Sequence, residues 1–325
     1  MTLSPHQITD KIYQIELPIP FPLQTTNVYF IDGHPRTLID TGIKTEASLG
    51  TLKSGMEAFG FNLNSIERIL ITHGHIDHYG QAKRIAFLSS APIFIHSLEY
   101  GKIRSILHSL GILKMLLMRN GAPEAWVVEA VGFIESAQRM ADPLEEAFFL
   151  TDGDTIPFES MSWQAVHCPG HSPGLLCFYW KEERVLFTGD HLLKEITPNP
   201  IVNIPREGPP YEYPSLKQYL GSLERIGQMD IALALPGHGE TIDDPKGVIK
   251  GIFKHHQERM NLILSVLSSR DKTPYEIAMG LFPRVSPFDL FLGISEVLGH
   301  LEILKEEKKV KVQEKEGKDY YSLET

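Results

Sequence analysis

The chain has 325 residues, and 42% of them are hydrophobic, so it can bury the core of one large domain or of two. A formal net charge of −10 argues against broad electrostatic binding to nucleic acid. Two cysteines, Cys168 and Cys177, are too few for a disulfide framework, which favours a reducing, cytoplasmic compartment. We expect no signal peptide over residues 1–21 and no membrane span, since no apolar run approaches the required ~20 residues.

Strand-like and helix-like patterns alternate over the first hundred residues. Apolar residues recur with the period of a strand in some segments and on one face of a helix in others. Strands are predicted at 12–17, 27–31, 37–40, 66–72 and 91–96, and helices at 44–59 and 80–88. This alternation indicates an α/β layered core.

The predicted strand at 66–72 runs directly into a cluster of polar side chains. His73, His75, Asp77 and His78 lie within six positions of one another. Imidazoles and carboxylates need partners when they are buried, and divalent metal ions supply them. Imidazole nitrogen and carboxylate oxygen suit zinc, and they also suit iron or manganese. The cluster therefore predicts a metal site.

Residues 97–148 interrupt the alternation and predict two or three helices with little strand character. An apolar stripe runs along the first of them and continues through Met115 and Met118. Such a stripe is explained by core packing alone. It is also explained by a wall of an apolar substrate pocket, because methionine adapts to varied shapes.

Strands resume in the second half, and apolar runs there lead to further metal-type side chains. Strands are predicted at 163–167, 175–180, 184–188 and 231–235, with a helix at 216–227. His171, Asp190 and His238 each follow an apolar run and a turn that contains glycine. Glycine allows the backbone to turn sharply and to come close to an ion.

The C-terminal part of the chain has the pattern of three helices followed by a hairpin, which resembles a winged helix. Helices are predicted at 245–269, from 274 onward and at 288–304, and strands at 308–313 and 319–323. The third helix holds almost no Lys or Arg, and acidic residues alternate with lysines along the hairpin, which argues against a phosphate-binding surface. We expect Phe288, Phe291 and Leu292 to be buried against the tail's own helices or in a homodimer contact.

The order of these motifs resembles the metallo-β-lactamase superfamily of binuclear hydrolases. The motifs are LIDTG at 38–42, HxHxDH at 73–78, GH at 170–171, GD at 189–190 and GHG at 237–239. The resemblance implies an αββα sandwich as a catalytic domain over 1–250, with a helical insertion at 97–148 that caps the metals. A group of β-lactamase-like hydrolases in this superfamily carries a winged-helix tail, which would be 251–325 here.

The resemblance also implies a ligand set for two divalent ions, zinc in the first place and otherwise iron or manganese. It assigns His73, His75 and His171 to one ion, Asp77, His78 and His238 to the other, and Asp190 to both. Asp40 would hold a ligand imidazole by its outer N–H and so fix its tautomer. Asp77 and Asp190 are the implied catalytic residues.

A binuclear hydrolase of this kind uses a metal-bridging hydroxide as its nucleophile. We expect it to act on a small ester, thioester or lactone, because the motifs of more specific relatives are incomplete. Several lactonases place a tyrosine where Leu193 stands. A ribonuclease or phosphodiesterase of the same superfamily, or a metal-stabilised regulator that binds nucleic acid, is the alternative.

Other histidines are expected to lie outside the site. His191 follows Asp190 directly and should point away from the metals, and His167 could support a ligand from behind. His255 and His256 are on the predicted helix at 245–269 and are expected at the surface.

Overall fold

The N-terminal half forms a mixed sheet whose strands lie side by side in chain order. The computed structural model describes residues 5–159, 162–203, 214–284, 286 and 289–324, without the side chains of 105–108. Within these residues the strands are β1 (His6–Gln7), β2 (Ile12–Pro18), β3 (Thr25–Ile31), β4 (Thr37–Ile39), β5 (Arg68–Leu70), β6 (Ile93–Ile95) and β7 (Phe148–Phe149). Pairing is antiparallel from β1 to β4 and parallel from β4 to β7. The carboxyl ends of β4 and β5 therefore meet at the same edge of the sheet.

Three α-helices lie between the strands from β4 to β6. They are α1 (Glu46–Ala58), α2 (Ile76–Tyr79) and α3 (Ala82–Ser89). The Thr45 hydroxyl accepts a hydrogen bond from the Ser48 N–H and so caps the start of α1. Leu52 and Met56 of α1 and Ile85 of α3 are buried in the core cluster that covers the outer face of the first sheet.

The segment between β6 and β7 contains two long helices, as its sequence predicts. They are α4 (Ser97–Arg119) and α5 (Glu124–Gln138). The second sheet follows, with β8 (Thr155–Pro157), β9 (Ser162–His167), β10 (Leu176–Trp180), β11 (Val185–Gly189) and β12 (Leu233–Pro236). Its spatial order is β12-β11-β10-β9-β8, and among the described strands of this second sheet only β11 and β12 pair in parallel. Helix α6 (Ser215–Gly227) connects β11 to β12.

The two sheets pack face to face around an aromatic-rich core. The Tyr29 ring of the first sheet meets the Phe187 ring of the second edge to face, with centroids 5.2 Å apart. Trp163 stacks on Phe187 at 5.0 Å and is almost fully buried. Helix α6 covers the outer face of the second sheet. The layered α/β sandwich predicted from the sequence is confirmed.

The tail contains three further helices and a hairpin, in the predicted order. They are α7 (Pro245–Leu267), α8 (Pro274–Leu281), α9 (Leu290–Glu306), β13 (Val310–Lys315) and β14 (Lys318–Leu323). Glu316 and Gly317 have φ values of 52° and 75°, which suit the tight turn between the two strands. The boundary predicted after residue 250 lies inside α7, which is continuous there.

The tail and the helical insertion share one hydrophobic core. Leu113 and Leu117 of α4 are buried in the same cluster as Ile294 and Leu298 of α9. Arg119 at the end of α4 donates two hydrogen bonds to the Asp319 carboxylate of β14, both 2.8 Å long. Phe291 and Leu292 are half-buried beside this core, whereas Phe288 lies outside the described residues. In the described part of the chain, no helix combines the length and apolarity that crossing a bilayer requires.

Candidate metal centre

The loops that follow β5, β9, β11 and β12 meet at one edge of the sandwich and bring together the seven predicted ligands. His73 and His75 lie in the loop after β5, and α2 carries Asp77 and His78. The later loops supply His171, Asp190 and His238. Gly237 has no room for a side chain, because an added Cβ would lie 2.5 Å from Asp190 Oδ1 and 2.7 Å from His78 Cε1. The close backbone approach that the glycine-containing turn predicts is present at this position.

One group consists of His73, His75, His171 and Asp190, whose potential ligand atoms all lie within 4.8 Å of one another. His75 Nδ1 is 2.9 Å from His73 Nε2 and 3.1 Å from His171 Nε2. Asp190 Oδ2 is 3.5 Å from His171 Nε2 and 3.9 Å from His73 Nε2. Three ring nitrogens and a carboxylate oxygen therefore face a common point.

A second group consists of Asp77, His78 and His238, with the same limit of 4.8 Å between potential ligand atoms. His78 Nε2 and His238 Nε2 are 3.3 Å apart, and His238 Nε2 is 3.4 Å from Asp77 Oδ2. Asp190 reaches this group too, because its Oδ1 is 3.4 Å from His78 Nε2 and its Oδ2 is 3.4 Å from His238 Nε2. Asp190 therefore stands between the two groups.

The outward-facing nitrogens of four histidines are each held by a protein oxygen. The pairs are His73 Nδ1 with Thr72 Oγ1 (3.0 Å), His78 Nδ1 with Asp40 Oδ2 (2.8 Å), His171 Nδ1 with Asn199 O (2.8 Å) and His238 Nδ1 with Thr25 O (2.6 Å). A carbonyl oxygen only accepts, so the Nδ1 atoms of His171 and His238 carry the proton. Their Nε2 lone pairs then face inward, which is the tautomer that a metal ion needs.

Asp40 holds the first cluster through two routes. Its Oδ2 contacts the His78 ring directly and also accepts from the Thr72 hydroxyl at 2.8 Å, while its Oδ1 accepts from the Thr72 N–H at 2.8 Å. The φ of Asp40 is 57°, in the left-handed region that aspartate tolerates better than most residues. The contact between Asp40 and an imidazole of the cluster is present as predicted.

Burial and carboxylates act in opposite directions on these histidines. Burial lowers the pKa of His73 and of His75 well below the usual value and also lowers the pKa of His171. Burial opposes charge on His238 too, but Asp190 and Asp77 raise its pKa to about 10. The half of the site around His238 thus favours positive charge, which either protons or metal ions supply.

The donor set fits divalent metal ions. Asp190 Oδ1 is buried and has no hydrogen bond of good geometry among the described residues. His73 Nε2 and His171 Nε2 both face the single His75 Nδ1, at 2.9 and 3.1 Å, and this nitrogen can donate to only one of them, so a cation at this point would satisfy the remaining lone pair. Nitrogen and carboxylate ligands in this proportion suit zinc and related first-row ions.

Comparison with known proteins identifies the family of the chain. Residues 22–238 match the family model described as the metallo-beta-lactamase superfamily. The chain belongs to this superfamily. The prediction of a metal-dependent hydrolase is confirmed at this level.

Relatives and solved structures of similar length support the assignment. The chain is 28% identical over 305 residues to a Bacillus subtilis (strain 168) protein named probable metallo-hydrolase YqjP, with 93% of this chain and 94% of the relative covered. It is 27% identical over 313 residues to a Drosophila melanogaster protein named beta-lactamase-like protein 2 homolog, with 94% and 90% covered. The crystal structure of a metallo-beta-lactamase family protein from Thermus thermophilus superposes with a TM-score of 0.86 at 29% identity and covers 98% of this chain and all of that one.

A buried glutamate of α4 connects two of the loops that form the candidate metal centre of this superfamily member. Glu99 Oε2 accepts from the Gly74 N–H at 2.7 Å, between His73 and His75. Its Oε1 accepts from the Ser172 hydroxyl and from the Gly174 N–H, both at 2.6 Å, just after His171. Sequence reasoning missed Glu99, because an acidic residue in the first turn of a helix is also explained by the helix dipole.

Lys102 lies one turn further along α4 and was missed as well. Its Nζ donates to the Ser172 hydroxyl at 2.9 Å and is 3.9 Å from Glu99 Oε2. Burial lowers the pKa of Lys102, and the charge of Glu99 offsets part of this effect. The signal available in the sequence was a lysine three residues after Glu99, on the helix side that also carries apolar residues.

A cavity of about 740 Å³ opens beside His75 and Asp77. Its wall consists mainly of apolar side chains from α4, α5 and the tail. Among the lining residues are Leu98, Leu110, Leu113, Phe133, Ile134 and Phe291. Met115 and Met118, which the sequence suggests for the substrate path, are not among its lining residues and are 57% and 37% exposed. That expectation is wrong, because the two side chains lie on the solvent side of α4.

Two predictions about the remaining histidines have different outcomes. His191 is fully buried and packs against the Tyr219 ring at 5.2 Å, with no contact to the ligand groups among the described hydrogen bonds. His256 was expected at the surface but is buried, and its Nδ1 lies 3.1 Å from His300 Nε2 between α7 and α9. His255 and Glu296 lie close to His256. The polar neighbours of His256 in sequence concealed its position in the helix interface.

Proposed function

We propose that the chain binds two divalent metal ions, zinc in the first place, and hydrolyses a small ester, thioester or lactone. His73, His75 and His171 would hold one ion, Asp77, His78 and His238 the other, and Asp190 both. The observation that carries the proposal is the position of Asp190, whose carboxylate oxygens lie 3.4–3.5 Å from histidines of both groups. A site for one ion would not need a buried carboxylate that faces two triads.

Two such ions, when bound, lower the pKa of a shared water and polarise the acyl oxygen under attack. The chain supplies the geometry and the proton acceptor. Asp77 lines the cavity, so its carboxylate can orient the attacking water and take its proton. In the overall reaction the water oxygen joins the acyl carbon, the bond to the leaving oxygen or sulfur breaks, and the leaving group takes a proton.

The protein side chains near the cavity support water rather than a serine or cysteine as the nucleophile. The Ser172 hydroxyl is buried between Glu99 and Lys102, and Ser172 is not among the described residues that line the cavity. Cys168 is fully buried. An apolar cavity wall and a net charge of −10 favour a small acyl substrate over RNA.

Two measurements test this proposal. Protein purified without chelator and loaded to saturation should contain two metal ions per chain by elemental analysis. A panel of ester, thioester, lactone, phosphodiester and RNA substrates should then show hydrolysis of acyl substrates. One ion per chain at full occupancy would refute the two-metal site, and turnover confined to RNA or phosphodiesters would refute the substrate class.

We also propose that residues 251–325 form a winged-helix-like unit that supports the catalytic part. Its three helices and hairpin follow one another in the expected order, and α9 packs against α4 and α5 rather than presenting a basic face. The hairpin alternates Lys311 and Lys315 with Glu314 and Glu316. This tail therefore has a supporting role in the proposed hydrolase.

A further inference from the structure

The cavity beside the metal centre has one basic side chain in an otherwise apolar and neutral wall, apart from the ligands themselves. Among the described lining residues, Lys102 is the only lysine or arginine. Its Nζ contacts the hydroxyl of Ser172, which follows His171 directly in the sequence, and His75 and Asp77 line the same cavity. The cationic group therefore lies where the proposed reaction takes place and not at the cavity's outer rim.

The position of the Lys102 ammonium is fixed by its neighbours. Its Nζ donates to the Ser172 hydroxyl at 2.9 Å, and that hydroxyl donates to Glu99 Oε1 at 2.6 Å. Only 22% of the Lys102 side chain is exposed, so the charge is held in place largely away from solvent. Glu99 Oε2 lies 3.9 Å from this ammonium, and the two carboxylate oxygens of Glu99 also accept hydrogen bonds from the Gly74 and Gly174 N–H groups.

A positive charge held in this way is costly unless an anion accompanies it when water is displaced. A substrate that fills the cavity displaces water from around Lys102. A neutral substrate would leave the ammonium with less compensation than before. A substrate with a carboxylate at this point would restore a charge-assisted hydrogen bond.

The part of the cavity further along α4 has the opposite character. Leu110 and Leu113 lie about two to three helical turns beyond Lys102, and Ile134, Phe291 and Leu292 line the cavity with them. Such a wall binds hydrocarbon, since the removal of apolar surface from water is favourable in proportion to the area buried. The cavity thus has an anion-binding end next to the metals and an apolar end away from them.

We propose that the substrate is an amphipathic acyl compound with a carboxylate close to the scissile bond, which Lys102 binds, and a hydrocarbon arm, which the apolar end binds. This inference rests on the proposed acyl hydrolysis and narrows its substrate class. Lys102 is a specificity residue in this view. Glu99 and Ser172 position its ammonium.

Matched ligands that cannot be hydrolysed separate this inference from the proposed reaction. The probes are ketone analogues of octanoyl thioesters, in which a methylene group replaces the sulfur. One is the analogue of the 3-mercaptopropionate thioester and ends in a carboxylate, and the other is the analogue of the 3-mercaptopropanol thioester and ends in a neutral alcohol. Binding to the metal-loaded protein is measured by calorimetry. We expect the carboxylate ketone to bind about 10- to 100-fold more tightly, the range for a charge-assisted hydrogen bond.

Three variants identify the group responsible. Lys102→Met should remove most of the preference for the carboxylate, and Lys102→Arg should keep part of it. Lys114→Met, on the same helix but outside the cavity lining, should keep all of it. Metal content is measured for each variant, so that a disturbed Ser172 loop is recognised. Retention of the full preference in metal-loaded Lys102→Met would mean that the metals bind the carboxylate, and would overturn the inference.

Hydrolysis of the corresponding thioesters provides the second readout. The octanoyl thioester of 3-mercaptopropionate should have a higher kcat/KM than the octanoyl thioester of 3-mercaptopropanol, mainly because its KM is lower. Leu110→Trp should lower the turnover of octanoyl thioesters relative to acetyl thioesters. An equal fall of kcat on both thioesters in Lys102→Met would assign Lys102 to the developing oxyanion and contradict substrate selection. If no thioester is hydrolysed, the proposed reaction fails, while the ketone binding still decides the role of Lys102.

Discussion

Replacing Glu99 by glutamine should weaken the connection between the loops that carry His75 and His171. The substitution keeps the size of the side chain but removes its charge and one acceptor. In the wild type, one carboxylate oxygen of Glu99 accepts a hydrogen bond from the Gly74 N–H and the other accepts one from the Gly174 N–H. In either orientation of the new amide, its NH₂ group therefore faces one of these two N–H donors. One charge-assisted hydrogen bond is lost, and one buried donor is left without an acceptor.

The size of the effect follows from these two losses. A hydrogen bond to a charged group contributes about 1.5–3 kcal/mol, and a buried donor without a partner costs about 1–3 kcal/mol. We therefore expect Glu99→Gln to lower the free energy of unfolding by about 3–5 kcal/mol. Metal affinity should fall by about 10- to 100-fold, as is typical when a residue that orients the ligands is replaced.

Urea unfolding of the metal-free protein measures the first effect, and competition with a chromophoric chelator measures the second. Glu129→Gln is the matched control, because Glu129 is exposed on the neighbouring helix α5. The control should differ from the wild type by less than about 0.5 kcal/mol. A Glu99→Gln protein as stable as this control, with unchanged metal affinity, would refute the role assigned to Glu99.

Four further outcomes are expected. Burial opposes the charged form of His238, but Asp190 and Asp77 raise its pKa to about 10. Metal binding should therefore release protons, which calorimetry in buffers of different ionisation enthalpy measures. The raised pKa of His238 also stabilises the metal-free folded protein. This contribution to the free energy of unfolding is complete below pH 6.5, the pKa of His238 in the unfolded chain, and urea unfolding should show that it is lost as the pH rises toward 10. Asp190→Ala should deplete both metals and abolish hydrolysis, whereas His191→Ala should lower stability but retain metal by elemental analysis; equal depletion would contradict the assignment. Duplex DNA should bind only weakly in anisotropy titrations near physiological salt. Submicromolar, sequence-selective binding whose affinity falls by about 10³-fold with added salt would contradict the supporting role of the tail.

The ligand cluster was predictable from the sequence because each ligand follows a strand closely. Strands of a layered sheet end at a common edge, so residues one to four positions beyond β9, β11 and β12 are brought together without further information. Long helices such as α1 and α4 were equally clear, since many turns contribute to an amphipathic pattern. Strands β7 and β8 were missed because segments of two or three residues have no measurable period.

The contacts of Glu99 and Lys102 could not be predicted from the sequence, for a different reason. Glu99 binds Ser172 and Gly174, which are 73 and 75 positions away, and no local pattern links a helix in an insertion to a loop of the second sheet. The prediction that His256 lies at the surface was wrong for the same reason, since its burial depends on the approach of α9 and not on its polar neighbours in the sequence. Local patterns predict elements, whereas the pairing of distant elements decides which charges are buried.

The core shared by the insertion and the tail has a consequence for how proteins of this architecture can diversify. Leu113 and Leu117 are covered by Ile294 and Leu298, so the surfaces of α4 and α9 must remain complementary to each other. A chimaera that received its insertion from one parent and its tail from another would expose mismatched hydrocarbon on both. Recombination should therefore succeed only when the two segments are inherited together, even though residues 149–250 separate them along the chain.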